Sequence, residues 1–126
     1  MTITPVYAGL LGLLFLCLSG SVVVGRGSKN VSLGDGGDGG LNRRIRAHAN
    51  FAEYVPLTLI LFVFIEQAGA DAYFVHGINI VFLIGRVMHA IALSSPTPQA
   101  FLRTGGAGLT LVVLGVASIR LLLFYI

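Results

Sequence analysis

The first 25 residues of this chain contain no charged side chain, and three later segments are almost as poor in charge. A helix needs roughly 20 apolar residues to cross the ~30 Å hydrocarbon core of a bilayer. Pro96 and Pro98 separate the third segment from the fourth, because proline cannot continue a helix. The pattern predicts four transmembrane helices, with approximate spans at residues 5–25, 46–66, 72–94 and 105–126.

The composition is that of a membrane protein. Only 10% of the 126 residues are charged, whereas a soluble domain carries about 25%. With 56% apolar residues and a mean hydropathy of +0.91, a soluble fold of this size would expose large apolar patches to water. We therefore predict an all-α membrane protein whose residues 1–126 form a single four-helix bundle.

The first apolar segment has a competing interpretation as a secretory signal peptide. Such a peptide has a basic N-terminal region and a cleavage site of small residues. Residues 1–9 contain no Lys or Arg, so a membrane span is the favoured interpretation.

The basic residues predict the orientation of the helices in the membrane. The second loop is acidic, with Glu66 and Asp71 at its ends, and the N-terminal segment has no basic side chain. The basic residues in or beside the first and third loops are Arg26, Lys29, Arg43, Arg44, Arg46 and Arg103. By the positive-inside rule, we expect loops one and three in the cytoplasm and both termini outside.

Several polar side chains fall within the predicted spans, where a charged group is costly and normally faces a partner or a water-filled cavity. At about 100° per residue, Arg46, Asn50 and Glu53 share one face of the second helix. Arg86 and His89 are three residues apart and share a face of the third helix. Two interpretations are open here: a functional site, or interhelical contacts such as an Arg86–Glu53 pair that only hold the bundle together.

Other kinds of site find little support in the sequence. The glycine-rich stretch in residues 25–44 lacks the Lys-Ser/Thr of a phosphate-binding loop and the glutamate that ends an EF-hand loop. Cys17 is the single cysteine, so no intramolecular disulfide can form. The histidines have no second group of ligands beside them, and we expect no metal site.

The motif in the second span resembles the MAPEG family, the membrane-associated proteins in eicosanoid and glutathione metabolism. It reads Arg46-Ala-His-Ala-Asn-Phe-Ala-Glu-Tyr-Val-Pro56, and Gly85-Arg-Val-Met-His89 follows in the third span. The resemblance extends over essentially the whole chain. It implies a homotrimer of four-helix subunits in a prokaryotic inner (plasma) membrane, with glutathione bound between subunits near the cytoplasmic face.

The resemblance also implies which residues form the site. The glutathione-binding residues would be Arg26, Arg46, His48, Asn50, Glu53, Tyr54, Arg86 and His89. Arg103 resembles the arginine that activates the thiol, after a small shift in loop length. Leu93 departs from the family, because several members carry a glutathione-contacting tyrosine at this position, one turn after His89.

These residue types suit the chemistry of glutathione, which has two carboxylates and one ammonium group. Arginines can bind the carboxylates and Glu53 can bind the ammonium. The resemblance thus implies a transferase or peroxidase that uses glutathione as co-substrate and acts on lipophilic electrophiles or hydroperoxides. Its partners would be membrane lipids and further copies of itself, without nucleic acid. A non-catalytic lipid-binding or scaffold protein is the alternative, and a small transporter, which usually has internal repeats, is a third.

The predicted orientation can be tested by cysteine labelling. After Cys17 is replaced by alanine, a single cysteine is introduced at Ser32 or at Thr2. In intact cells, a membrane-impermeant thiol reagent should label the cysteine at position 2 and leave the one at position 32 unmodified until the cells are opened. Labelling of position 32 in intact cells would show that the orientation is reversed.

Overall fold

The computed structural model describes residues 2–126 and confirms the all-α membrane architecture. Each of its four helices is long and apolar enough to cross a membrane, and the described residues contain no β-strand. The helices are α1 (Thr4–Lys29), α2 (Gly39–Gln67), α3 (Ala72–Ser94) and α4 (Ala100–Tyr125). They are joined by loop 1 (residues 30–38), loop 2 (residues 68–71) and loop 3 (residues 95–99). Loops 1 and 3 lie at one end of the bundle, which we call the basic end.

Three helices extend beyond the apolar segments that predicted them. α2 begins at Gly39 rather than near residue 46, α4 begins at Ala100 rather than near residue 105, and α1 continues to Lys29. Only α3 has the predicted bounds. Hydropathy marks the part of a helix that lies in hydrocarbon, whereas the hydrogen-bonded helix continues into the polar interface until a capping group ends it.

Loop 1 is closed by a polar contact between the helices that it joins. Asp38 caps α2, since its Oδ1 accepts from the Leu41 N–H at 2.8 Å, and its Oδ2 lies 3.1 Å from Lys29 Nζ. The Leu41 N–H and the Lys29 ammonium hold the pKa of Asp38 below its ordinary value. Asn30 ends α1 in the left-handed conformation, at φ 54°. Loop 1, residues 30–38, is therefore a connection that is capped at both of its helix ends.

At the other end of the bundle, the acidic residues act as helix caps. Glu66 reaches across to α1, where its two carboxylate oxygens accept from the backbone N–H groups of Thr2, Ile3 and Thr4 at 2.6–2.8 Å. Asp71 caps α3 by accepting from the Phe74 N–H at 3.1 Å. The first N–H groups of a helix have no partner within it and carry partial positive charge. Both carboxylates therefore stabilise helix ends.

Aromatic contacts hold neighbouring helices together. Phe15 of α1 stacks on Phe51 of α2 with ring centroids 5.4 Å apart. Phe62 of α2 meets Phe82 of α3 edge to face at 5.5 Å, and both are fully buried. Exposed apolar side chains cover the outside of all four helices, among them Leu16, Val23, Ile60, Ile84, Leu111 and Ile119. This surface suits lipid rather than water.

The closest packing joins α3 and α4 through two glycines. A Cβ atom added to Gly106 would lie 2.7 Å from the carbonyl oxygen of Gly85 and 2.7 Å from the backbone nitrogen of His89. A Cβ atom on Gly85 would lie 3.2 Å from the Gly106 carbonyl oxygen. Small residues of this kind let membrane helices approach backbone to backbone.

Substituting Gly106 by alanine should therefore force α3 and α4 apart. Because the obstructing atoms belong to the backbone, we expect Gly106→Ala to lower the free energy of unfolding by about 1–3 kcal/mol. Gly108→Ala is the matched control, since a Cβ atom there meets nothing within 4 Å, and it should be neutral or slightly stabilising. Thermal unfolding in detergent, followed by circular dichroism, measures both. Equal midpoints for the two variants would contradict this account of the α3–α4 contact.

Candidate functional site

The centre of the site is the guanidinium of Arg86, which is only 1% exposed although it lies within a membrane span. Its Nη2 donates to Asn50 Oδ1 of α2 at 2.7 Å, and its Nη1 donates to Thr110 Oγ1 of α4 at 3.4 Å. Arg86 thus links three helices through neutral acceptors. The alternative in which it pairs with Glu53 is not seen, because within residues 2–126 the one ion pair joins Lys29 and Asp38.

Two aromatic rings add to the surroundings of this guanidinium. Arg86 Cζ lies 5.6 Å from the centroid of Phe51 and 5.9 Å from the centroid of Tyr54. Ring faces attract a cation, and the attraction is stronger where water is excluded. Arg86, Asn50, Tyr54, His89 and Thr110 form what we call the Arg86 cluster, a positively charged group of side chains with no carboxylate bonded to it in the described chain.

Two buried atoms of the Arg86 cluster have no hydrogen-bond partner among residues 2–126. They are Arg86 Nε and His89 Nδ1. Buried polar atoms nearly always find a partner in protein or ordered water, so each such atom needs an explanation. Because both atoms are enclosed within the subunit, their partner would be a water molecule or a polar group that enters between the helices.

The glycine contact between α3 and α4 explains how Thr110 reaches Arg86. Gly106 lies one turn before Thr110 on α4. Its close approach to Gly85 on α3 places Thr110 beside Arg86, the residue after Gly85. The Thr110 hydroxyl donates to the Gly106 carbonyl oxygen at 2.8 Å, which leaves its oxygen free to accept from Arg86. Thr110 was not among the residues that the sequence predicted for the site. The one sequence feature that could have indicated it is the helical spacing of Gly106, Thr110, Val113 and Ala117, which form the buried face of α4.

Arg46 and Glu53 are on α2, as Asn50 and Tyr54 are, but they lie outside the Arg86 cluster. Both side chains are exposed, and within residues 2–126 neither takes part in an ion pair. Asn50 lies between them in sequence and is half-buried against Arg86. An exposed charge in a membrane span meets either lipid or another protein surface. This face of α2 therefore carries opposite charges that a single subunit leaves uncovered.

Two of the predicted residues are engaged elsewhere in the subunit. The His48 ring stacks on Phe15 of α1 at 4.9 Å, so it packs between α1 and α2. Arg26 Nε donates to the Gly34 carbonyl oxygen at 3.3 Å and so stabilises loop 1. Neither contacts Arg86 within one chain. Their predicted glutathione contacts remain predictions that depend on a second subunit.

Arg103 lies at the basic end, in the first turn of α4. Its side chain is exposed and lines a cavity of about 510 Å³ between α2 and loop 3, which we call the loop-3 cavity. Leu93 lines the same cavity and follows His89 by one turn. Arg103 therefore lies close to the Arg86 cluster along the bundle but is separate from its hydrogen-bond network.

Comparison with known proteins identifies the family. The sequence model of the MAPEG family matches residues 4–123, which is nearly the whole chain. The chain belongs to the MAPEG family. The Arg86 cluster and the charged face of α2 carry the motif residues on which the resemblance rested, and the family assignment is confirmed.

Two curated relatives are named inner membrane protein YecN, one from Escherichia coli strain K12 and one from strain CFT073 of serotype O6:H1. Each is 41% identical over 87 residues, which is 69% of this chain and 66% of the relative, slightly less than two thirds of the relative's length. No solved structure matches the chain. The four candidate spans and these inner-membrane relatives support a multi-pass inner-membrane protein.

The hydrogen bond between Arg86 and Asn50 should contribute to stability even without a ligand. Asn50→Leu keeps the side-chain size but removes the acceptor at 2.7 Å, so we expect a loss of about 2 kcal/mol in the free energy of unfolding, the scale of a hydrogen bond to a buried charge. Glu53→Gln is the matched control on the same face and should change stability by less than about 0.5 kcal/mol. Thermal unfolding of the ligand-free protein compares them. Equal losses would mean that the Arg86–Asn50 bond has no special part in stability.

Proposed function

We propose that this protein is a glutathione-dependent membrane transferase or peroxidase acting on lipophilic electrophiles or hydroperoxides. One observation carries the proposal: a buried, uncompensated Arg86 lies beside an exposed α2 face that bears both Arg46 and Glu53. In a protein of the MAPEG family, this charge pattern complements a small peptide with two carboxylates and one ammonium group. Charged side chains in a membrane span carry an energetic cost, and they usually mark a functional site.

Each charged group of glutathione has a counterpart in this proposal. Arg46 binds one carboxylate by charge-assisted hydrogen bonds, the buried Arg86 attracts the other through its uncompensated charge, and Glu53 receives the ammonium. Asn50 holds the Arg86 guanidinium in place through their 2.7 Å hydrogen bond. Tyr54 and His89 offer further polar atoms beside the same guanidinium.

A second subunit completes the site in this proposal. The exposure of Arg46 and Glu53 leaves one side of the peptide unprotected in a single chain. A homotrimer would cover this face, and the neighbouring subunit would contribute Arg26 and the α2 edge that carries His48. Native mass spectrometry in detergent should then report three subunits. A monomer that still bound glutathione would contradict the intersubunit site.

The proposed reaction begins with the thiol of glutathione. A free cysteine thiol has a pKa of about 8.5 and reacts as the thiolate, which a nearby arginine favours. We assign this role to Arg103. In the transferase reaction, the thiolate sulfur forms a bond to an electrophilic carbon, a leaving group or π-bond takes the electron pair, and the thiol proton passes to solvent. In the peroxidase reaction, two glutathione molecules are oxidised to the disulfide while the hydroperoxide is reduced to an alcohol and water.

A non-catalytic lipid-binding or scaffold role is the second candidate, and a specific observation favours it. Leu93 lines the loop-3 cavity one turn after His89, so this part of the site offers an apolar surface and no phenolic hydroxyl. Arg103 has no hydrogen bond to the Arg86 cluster in the described chain. A scaffold would keep the fold and the buried arginine without activating a thiol.

Two variants separate thiol activation from peptide binding. Arg103→Leu should raise the pKa of the bound thiol and lower turnover by about tenfold for each unit of pKa, with a smaller change in glutathione affinity. Glu53→Gln should mainly weaken glutathione binding and change the pKa of the bound thiol less, because it removes the proposed ammonium partner. The thiolate absorbance of bound glutathione, followed against pH, and the rate with an electrophile measure the two effects.

The same experiment distinguishes enzyme from scaffold. If Arg103→Leu changes neither the titration nor the rate, Arg103 is not the activating residue. If the wild-type protein shows no thiolate and no turnover with a panel of electrophiles and hydroperoxides, the scaffold function replaces the enzymatic one.

A further inference from the structure

The loop-3 cavity has features that the proposed glutathione site does not use. Its volume of about 510 Å³ is within the range of small-molecule sites. It lies between the first part of α2 and the turn that joins α3 to α4, at the basic end of the bundle. Arg43, whose charge contributed only to the predicted membrane orientation, lines it together with Arg103.

The charge of the loop-3 cavity is entirely positive. No acidic residue lines it, and neither Arg43 nor Arg103 takes part in an ion pair within residues 2–126. Two other cations at the basic end have protein partners: Lys29 pairs with Asp38, and Arg44 Nη1 donates to the Ser21 carbonyl oxygen at 3.1 Å. Two arginines facing one cavity without a counter-charge favour an anionic occupant.

The rest of the lining is largely apolar. Ala92, Leu93, Pro96, Pro98 and Ala100 form this part of the wall. The cavity lies where α3 ends and α4 begins, which is where these apolar helices leave the hydrocarbon region. The next residue, Phe101, is 82% exposed, as an aromatic anchor at the membrane interface would be. An occupant that matches this lining has an anionic head and an apolar body, and it enters from the bilayer.

We propose that the loop-3 cavity binds the phosphate headgroup of an anionic phospholipid from the adjacent leaflet. Arg43 and Arg103 bind the phosphate oxygens, a geometry for which the planar guanidinium is well suited. The glycerol and upper acyl carbons lie against Leu93 and Pro96. Arg103 is shared with the proposed glutathione site, so a headgroup bound here would compete with a thiolate at Arg103. Arg43 belongs to the cavity alone, so Arg43→Gln tests the lipid site separately from the glutathione function.

Native mass spectrometry of the delipidated protein in detergent tests the proposal. The protein is titrated with phosphatidylglycerol and with phosphatidylethanolamine of the same acyl chains. The wild type should bind phosphatidylglycerol at least about tenfold more tightly, the scale of one charge-assisted hydrogen bond. Arg43→Gln should lose about that factor. Arg44→Gln removes the same charge one residue away, on the α1-facing side, and should keep the wild-type preference.

A second variant distinguishes loss of lipid selectivity from loss of folding. Ala100→Glu places a carboxylate in the cavity wall at the first residue of α4, where a negative charge stabilises a helix. It should abolish the preference for phosphatidylglycerol while leaving the helical circular dichroism unchanged.

Several results would overturn the lipid site. Equal binding of the two lipids, or equal losses in Arg43→Gln and Arg44→Gln, would show that the cavity does not select the headgroup. Displacement of bound phosphatidylglycerol by inorganic phosphate would assign the cavity to free anions. A loss of glutathione affinity in Arg43→Gln as large as its loss of phosphatidylglycerol affinity would assign the cavity to the peptide.

Discussion

The guanidinium of Arg86 is the constraint around which the rest of the bundle is arranged. A cation in a membrane span needs hydrogen-bond acceptors within reach, because neither lipid nor bulk water supplies them there. Asn50 and Thr110 supply them from two other helices, and Phe51 and Tyr54 add ring faces. None of these groups carries a formal negative charge. The subunit thus solvates the cation without neutralising it, and this remaining positive charge is what an anionic ligand can use.

The close approach of α3 and α4 follows from the same requirement. Thr110 can accept from Arg86 only because Gly85 and Gly106 let the two backbones touch. At the opposite end of the bundle, Glu66 is bonded to three N–H groups of α1, so its charge is not available to Arg86. Glu53 is therefore the one carboxylate among the described residues that lies near the Arg86 cluster in sequence and remains free of a protein partner. Because it is exposed, its carboxylate can bind an ammonium group of a ligand or a cation of a second subunit.

The sequence predicted the four spans and the polar face of α2, because both depend on local features: hydropathy over 20 residues and the 3.6-residue helical repeat. It could not predict how far the helices continue, because Gly39 and Ala100 begin helices whose ends depend on capping and packing rather than on hydropathy. It also left open whether Arg86 belongs to a functional site or pairs with Glu53, and it did not indicate Thr110. Those contacts depend on the α3–α4 distance, which two glycines set, and a single sequence does not reveal which glycines meet. His48 was assigned to the site by motif, whereas within one subunit it stacks on Phe15.

We propose that the charged face of α2, beside Arg86, binds glutathione. Isothermal titration calorimetry with reduced glutathione in detergent tests it most directly, comparing wild type with Arg46→Ala. Arg46 is exposed, so its loss should leave the fold intact, and Arg120→Ala removes an equal charge from the opposite end of the bundle. The account predicts saturable binding by the wild type and by Arg120→Ala, and binding weakened about tenfold or more in Arg46→Ala. No binding by the wild type, or equal affinities for all three proteins, would contradict it.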